Sequence, residues 1–268
     1  MSLRIQNNVE AFNAHRNLSS VSAKVSESME RLSSGYRINR AADDAAGLAI
    51  SEKMRAQIRG LGQAQRNSQD GVSLVQTAEG ALDTVHSMLQ RVRELAVQYK
   101  NDTLSSTNRT AIQSEVNQLA SEIERIGASA DFNGIKLLNA AQTLSFQVGA
   151  QDGQVITVSL ISLGSGVGTS YFSLTAAGAS DIAEIDAAID TVSSQRSQFG
   201  AVQNRLGYTL ENAAIYQENL TASESRVRDV DMAKEMVNFT KLQILQQAGV
   251  SMLAQANTSS QGVLSLIG

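Results

Sequence analysis

The 268-residue chain contains no proline, no cysteine and no tryptophan. Ordinary usage of about 5% proline would place roughly 13 in a chain of this length. Proline removes a backbone donor and clashes with the preceding helical turn, so its absence fits long unbroken helices. Without cysteine there is no disulfide, no thiolate nucleophile and no Cys-ligated zinc or iron–sulfur centre. Two histidines, His15 and His86, make a multi-histidine metal site improbable within one chain. Aromatic residues make up 4%, which argues against a thick core built on large rings. The charge is low as well: 22 basic and 26 acidic residues leave a net charge of −4. A nucleic-acid binder would usually show a strongly basic face. The uncharged stretch Leu242–Gly268 is rich in Gln, Ser and Asn. It lacks the ~20 consecutive apolar residues of a membrane span, so no membrane insertion is expected. Residues 1–8 have no apolar core of a secretory signal, so no ordinary cleavable signal is expected either.

What the sequence does contain is helical periodicity. Leu18, Val21, Val25, Met29 and Leu32 form one stripe, ended by Ser33-Ser34-Gly35. A single helix from about Asp43 to Tyr99 follows, with a stripe running through Ile50, Met54, Ile58, Leu61, Val75, Leu82, Leu89 and Ala96. At 1.5 Å per residue this spans roughly 85 Å. Asn101–Asn108 reads as a polar turn, and Ile112, Val116, Leu119, Ile123 and Ile126 as the next helix, with Gly127 as its stop. Phe132-Asn133-Gly134 is a turn signal. Alternation at Leu144, Phe146 and Val148 and at Ile156, Val158 and Leu160, around Asp152-Gly153, predicts a β-hairpin near 144–160. The Gly/Ser/Thr-rich stretch from Leu163 to Ser180 reads as a loop. From Asp181 a helix is expected in which Ile185, Val192, Phe199, Leu206, Ala213, Leu220 and Val227 recur every seven residues. That seam is interrupted by polar Gln195 and Thr209. A last stripe takes in Phe239, Leu242, Leu245, Ala248, Met252 and Ala256.

The expected fold is therefore mainly α: an elongated antiparallel helical bundle or coiled coil with a small β-hairpin region, in which N- and C-terminal halves pair. Short terminal helices bury little alone and are marginal in water. Packing many copies together would cover them, which is a physical route to a polymer.

Catalytic motifs are thin. Asp43-Asp44 are neighbours that point apart on a helix and suit its N-terminal dipole better than acid–base work. His15 and His86 read as packed or half-exposed rod histidines. Gly164–Gly168 lacks the lysine and helix of a phosphate loop. Gln90–Glu94 reads as a solvated helix face. No G-x-S-x-G elbow is present. No catalytic residue, metal or cofactor is implied.

The long motifs carry a family. LSSGYRINRAADDAAGLAISEKMRAQIRGLGQAQRNSQDGVSLVQTAEGAL at Leu32–Leu82, QRVRELAVQ at Gln90–Gln98 and FNGIKLLN at Phe132–Asn139 resemble the N-terminal half of bacterial flagellins. GAVQNRL at Gly200–Leu206, ENLTASESRVRDVDMAKEM at Glu218–Met236 and MLAQAN at Met252–Asn257 resemble the C-terminal half. The resemblance implies a self-assembling subunit of the extracellular flagellar filament, a helical homopolymer. It implies an inner assembly domain of residues 1–40 with 229–268 and a rod-like domain of 41–228. Leu144–Ser180 is too short for the large outer domains many flagellins carry. The same resemblance implies type III export, a chaperone on the C-terminal segment, and hook-associated and cap proteins as neighbours. Terminal stripe residues Leu18, Val21, Val25, Met29, Leu32, Phe239, Leu242, Leu245 and Met252 are the expected assembly interface. Contacts with the vertebrate flagellin-sensing Toll-like receptor map by resemblance onto Arg91, Leu95 and Glu115. A hook-associated junction protein, a secreted monomeric receptor ligand and, more remotely, an enzyme are the alternatives.

Overall fold

The computed structural model describes residues 8–163, 174 and 181–264, with side chains to residue 258. The expected Gly-rich loop at 164–168 lies outside them. Among the described residues the chain is dominated by five helices: α1 (Val9–Ser34), α2 (Ala45–Tyr99), α3 (Ser106–Ser129), α4 (Asp181–Arg228) and α5 (Met232–Leu264). Two small antiparallel strand pairs lie between α3 and α4: β1 (Asp131–Phe132) with β2 (Ile135–Lys136), and β3 (Thr143–Gln147) with β4 (Val155–Ser159). The chain divides into two units, one holding everything up to Ala56 and from Leu220 onward, the other Gln57–Asn219. That division falls inside α2 and α4, not at the expected breaks after residues 40 and 228. The first turns of α2 and the last of α4 are tied together in the first unit: Ser51 Oγ donates to Glu224 Oε1 at 3.1 Å, and Arg228 Nη1 lies 2.7 Å from Glu52 Oε1.

In the second unit a seam of 3–4 spacing does the packing. On α2 the seam runs through the buried positions Leu61, Ala64, Ser68, Gly71, Val75, Ala78, Leu82, Val85, Leu89, Val92 and Ala96, with Leu74 and Leu95 buried beside it. On α4 they run Ile185, Ala188, Val192, Gln195, Phe199, Val202 and Leu206, then Ala213. Both keep the heptad rhythm that holds an apolar stripe facing one partner. The two helices are antiparallel, since Gln65 bonds Gln217 at 2.9 Å while Arg93 meets Asp186 at 2.5 Å. Helix α3 adds Ile112, Val116, Ala120 and Ile123 to the same core. Gly127 is not its stop. The helix runs on to Ser129, and a Cβ at Gly127 would lie 3.2 Å from the Leu163 side chain, so the glycine allows close packing.

The predicted hairpin is β3–β4, with Leu144 opposite Val158 and Phe146 opposite Ile156. Its apolar face enters the core, where Ile156 and Val158 are buried. The hairpin accounts for Gly71 and Gln195 in the helical seams, while Thr209 returns its hydroxyl to the Arg205 carbonyl at 2.7 Å. Gly71 leaves room for Phe146 and Leu206, each 3.3 Å from where a Cβ would stand. Gln195, polar and buried, donates from Nε2 to the Ser159 carbonyl at 2.7 Å. A buried amide is tolerated only when so paired. A second hairpin joins β1 to β2 through Asn133 and Gly134, at φ 51° and 80°. Two positive φ values in a two-residue loop define the turn that Asn-Gly favours.

Gln195→Ala would leave the Ser159 carbonyl without this donor beside a buried gap. A loss of about 1–3 kcal/mol is expected. Urea unfolding of the variant should show it, and an unchanged midpoint would contradict the pairing.

Candidate assembly interface

Helices α1 and α5 pair in the first unit with opposite directions. Asn8 Nδ2 donates to the Ala256 carbonyl at 3.0 Å, Leu18 packs on Gly249, and Ser28 Oγ donates to Glu235 Oε1. The facing positions of α1 are Ala11, Ala14, Leu18, Val21, Val25, Ser28 and Leu32, and those of α5 are Glu235, Phe239, Leu242, Gln246, Gly249, Leu253 and Ala256. Both series step by three and four without a break, as a two-stranded seam requires. A Cβ at Gly249 would come within 3.2 Å of Leu18 Cδ1, so the glycine forms the hole for that leucine. Ser28 and Glu235 satisfy each other at the end nearest α2. A part-buried polar pair at a seam position fixes register.

Six of the expected interface residues, Leu18, Val21, Val25, Leu32, Phe239 and Leu242, lie in this seam. Met29, Leu245 and Met252 do not: they are 56%, 45% and 65% exposed. The apolar stripe on α5 steps by three three times in succession from Phe239 to Ala248. At about 100° per residue that carries it half way round the helix. The true seam passes through Gln246 and Gly249, which carry no hydropathy signal, and Ser28 displaces Met29 on α1 for the same reason. Strict 3–4 spacing extended from Leu18 and Val21 reaches Ser28 on α1, and extended from Phe239 and Leu242 it reaches Gln246 and Gly249 on α5.

Much apolar surface remains outside the seam. Phe12 is 65% exposed, Val237 72% and Ile244 61%, and Val9, Met236 and Val250 are also exposed. From Leu242 to Leu264 α5 has no charged residue at all. Met236, Val237, Thr240, Lys241 and Ile244 line a shallow groove on its outer side.

Both helices end at a joint. Gly35 closes α1 at φ 75°, its N–H donating to the Arg31 carbonyl at 2.9 Å, the left-handed C-terminal cap glycine favours. The two breaks then pair: Arg37 N donates to Arg228 O at 2.7 Å and Val230 N to Gly35 O at 3.0 Å. The Arg228 guanidinium lies over the Tyr36 ring, 4.8 Å from its centroid. Asp44 Oδ1 accepts from Gly47 N at 2.9 Å and so caps α2. Asp43 Oδ2 accepts from Arg40 N and Asn39 N at 2.9 and 3.0 Å. Those two backbone donors, Arg40 first, hold the Asp43 carboxyl below the usual carboxylate value. The adjacent acids are thus a cap and a turn clasp.

The second candidate set lies in the other unit. Arg91 on α2 donates from Nε and Nη2 to Glu115 Oε1 on α3 at 3.0 and 2.9 Å, and from Nη1 to Glu94 Oε2 at 3.1 Å. Glu115, then Glu94, raise the Arg91 guanidinium above its ordinary value. Leu95 is not beside them at the surface. It is 2% exposed and belongs to the core. Arg93 pairs with Asp186 and Arg196 with Asp83, so the charges flanking the α2 seam fasten it to its neighbours.

Residues 5–143 match the family model for the bacterial flagellin N-terminal helical region, and residues 182–267 the one for the C-terminal helical region. The chain belongs to the bacterial flagellin family. It is 52% identical to the flagellin of Halalkalibacterium halodurans over 98% of this chain and 99% of that one. It is 47% identical to the flagellin of Bacillus subtilis over 99% and 100%, and 45% identical to the flagellar filament 33 kDa core protein of Treponema phagedenis over 98% and 99%. As a flagellin it is a structural subunit of the flagellar filament, an extracellular appendage, and the junction-protein alternative is not favoured. Only residues 144–181 separate the matched regions, too few for a large outer domain.

Asp43 gives this joint a defined acid response. Its folded value lies below the unfolded one, so its contribution is complete above the unfolded value and is lost as pH falls through the folded one. An NMR titration of the carboxyl carbon should place its midpoint below 3.8, and Asp43→Ala should abolish the accompanying shifts at Asn39 and Arg40. A midpoint at or above the ordinary value would remove the clasp.

Proposed function

We propose that α1 and α5 are the polymerising segment of this flagellin and that their surface has two separate tasks. The seam residues Leu18, Val21, Val25, Leu32, Phe239 and Leu242 hold the two helices of one subunit together. Met29, Leu245 and Met252, with Phe12, Val237 and Ile244, pack between copies. The observation that carries this reading is the apolar surface that a single copy leaves uncovered on α1 and α5, from Phe12 and Val237 to Ile244, Leu245 and Met252. Large apolar side chains exposed on more than one face of a helix need cover on each of those faces, and one partner helix supplies only one. Further copies supply the rest.

Before assembly the same surface needs temporary cover. An export chaperone on the C-terminal segment would provide it, and hook-associated and cap proteins would cover it at the two ends of the filament. Export would proceed by the flagellar type III route. No catalytic role is assigned.

The two tasks separate by mutation. Leu242→Asp buries a charge in the seam and should cost about 3 kcal/mol or more, lowering the helix content of the free subunit. Val237→Asp and Leu245→Asp should leave free-subunit circular dichroism unchanged and abolish polymerisation seen by electron microscopy. Normal filaments from Val237→Asp and Leu245→Asp would contradict the assignment.

A host Toll-like receptor is the second proposed partner, reading Arg91 and Glu115 as a paired cation and anion across α2 and α3, with Leu95 supporting them from beneath. Arg91→Ala and Glu115→Ala should each lower receptor-reporter activation by monomer at least tenfold, roughly the loss of one charge-assisted contact. Undiminished activation by both variants would assign recognition elsewhere.

A further inference from the structure

We propose that the polymerising helices are also an oxidant-responsive surface, on which oxidation of Met29, Met232, Met236 and Met252 by hydrogen peroxide holds the subunit in its monomeric form. The inference rests on the assembly reading above and adds a modification that controls it.

Peroxide acts chiefly on thiols and thioethers, and this chain has seven methionines and no cysteine. Met29, Met232, Met236 and Met252 are 47–65% exposed, while Met54 and Met88 are half-buried. Among the described residues, the four exposed methionines all lie on α1 or α5. In the register that joins Ser28 to Glu235, Met29 stands at the level of Met232 and Met236 along the pair, and Met252 lies toward the other end. None of the four occupies a seam position, so the fold of the single subunit does not depend on their being apolar. The contact between copies does.

The step balances with peroxide as the only co-reactant. The thioether sulfur attacks one peroxide oxygen, an S–O bond forms and the O–O bond breaks. Sulfur gives up two electrons, and the departing oxygen takes up the second peroxide proton and leaves as water. The product is a sulfoxide, a polar acceptor where an apolar flexible side chain stood. Burying that oxygen against another copy without a donor is unfavourable, while leaving it in water is not. Oxidation therefore favours the free subunit. In a filament the same sulfurs are covered and protected.

The test uses the full chain, treated with graded hydrogen peroxide and mapped by peptide mass spectrometry. The four exposed methionines should gain oxygen before Met54 and Met88, with circular dichroism unchanged. The critical concentration for salt-induced filament formation should rise about tenfold or more. A variant carrying Met29→Leu, Met232→Leu, Met236→Leu and Met252→Leu has no sulfur at these positions, so its critical concentration, whatever its starting value, should be the same before and after peroxide. In preformed filaments the four sites should oxidise more slowly than in monomer. Polymerisation of the oxidised parent at its original critical concentration would overturn the proposal. So would equal inhibition of the leucine variant. Failure of the untreated parent to polymerise would instead overturn the assembly reading, and the oxidation proposal with it.

Discussion

The antiparallel seam between α1 and α5 is the contact on which the remainder of the account depends. It joins residues more than two hundred positions apart in sequence, as the Asn8–Ala256 and Ser28–Glu235 contacts show. A coiled-coil pair is specified by small geometric devices more than by total apolar area. Here these are the Leu18 knob on Gly249 and the Ser28–Glu235 pair. Because the seam uses one face only, apolar side chains on the remaining faces, Val237, Ile244, Leu245, Val250 and Met252 among them, stay exposed, and α5 has no charge beyond Lys241. The fold of one subunit thereby defines what another must cover.

The second unit solves the opposite problem. Its helices find enough partners within the chain to close a core, with the β3–β4 hairpin laid into the α2–α4 seam. Three polar or small residues in that seam have a local cause. Gln195 satisfies a strand carbonyl, Gly71 admits Phe146, and Ser68 returns its hydroxyl to the Ala64 carbonyl at 2.8 Å. Exposed ion pairs such as Arg91–Glu115 add little energy each, but they bridge α2 to α3 and orient the surface between them.

Long helices without proline show themselves in sequence because many repeats of one stripe average out local noise. Thus α2 emerged within two residues of its start, and the hairpin and the break at Gly35 were legible from alternation and turn chemistry. Hydropathy failed where the packing rule is geometric. Glycine, glutamine and serine serve as seam residues at Gly249, Gln246 and Ser28, while apolar Met29, Leu245 and Met252 face outward. The burial of Leu95 was hidden for a related reason: it directly precedes the seam residue Ala96, and α3 broadens the buried face there. Gly127 illustrates the same ambiguity, since a glycine near a helix end serves equally as a stop or as a close-packing position.

The most direct measurement of the central claim is a near-atomic helical reconstruction of filaments grown from this chain. The account predicts that each subunit keeps Leu18 on Gly249 and Ser28 on Glu235, and that Val237, Ile244, Leu245 and Met252 become buried against adjoining copies. Filaments in which those four side chains still face solvent, or in which α1 and α5 of one subunit have separated, would contradict it.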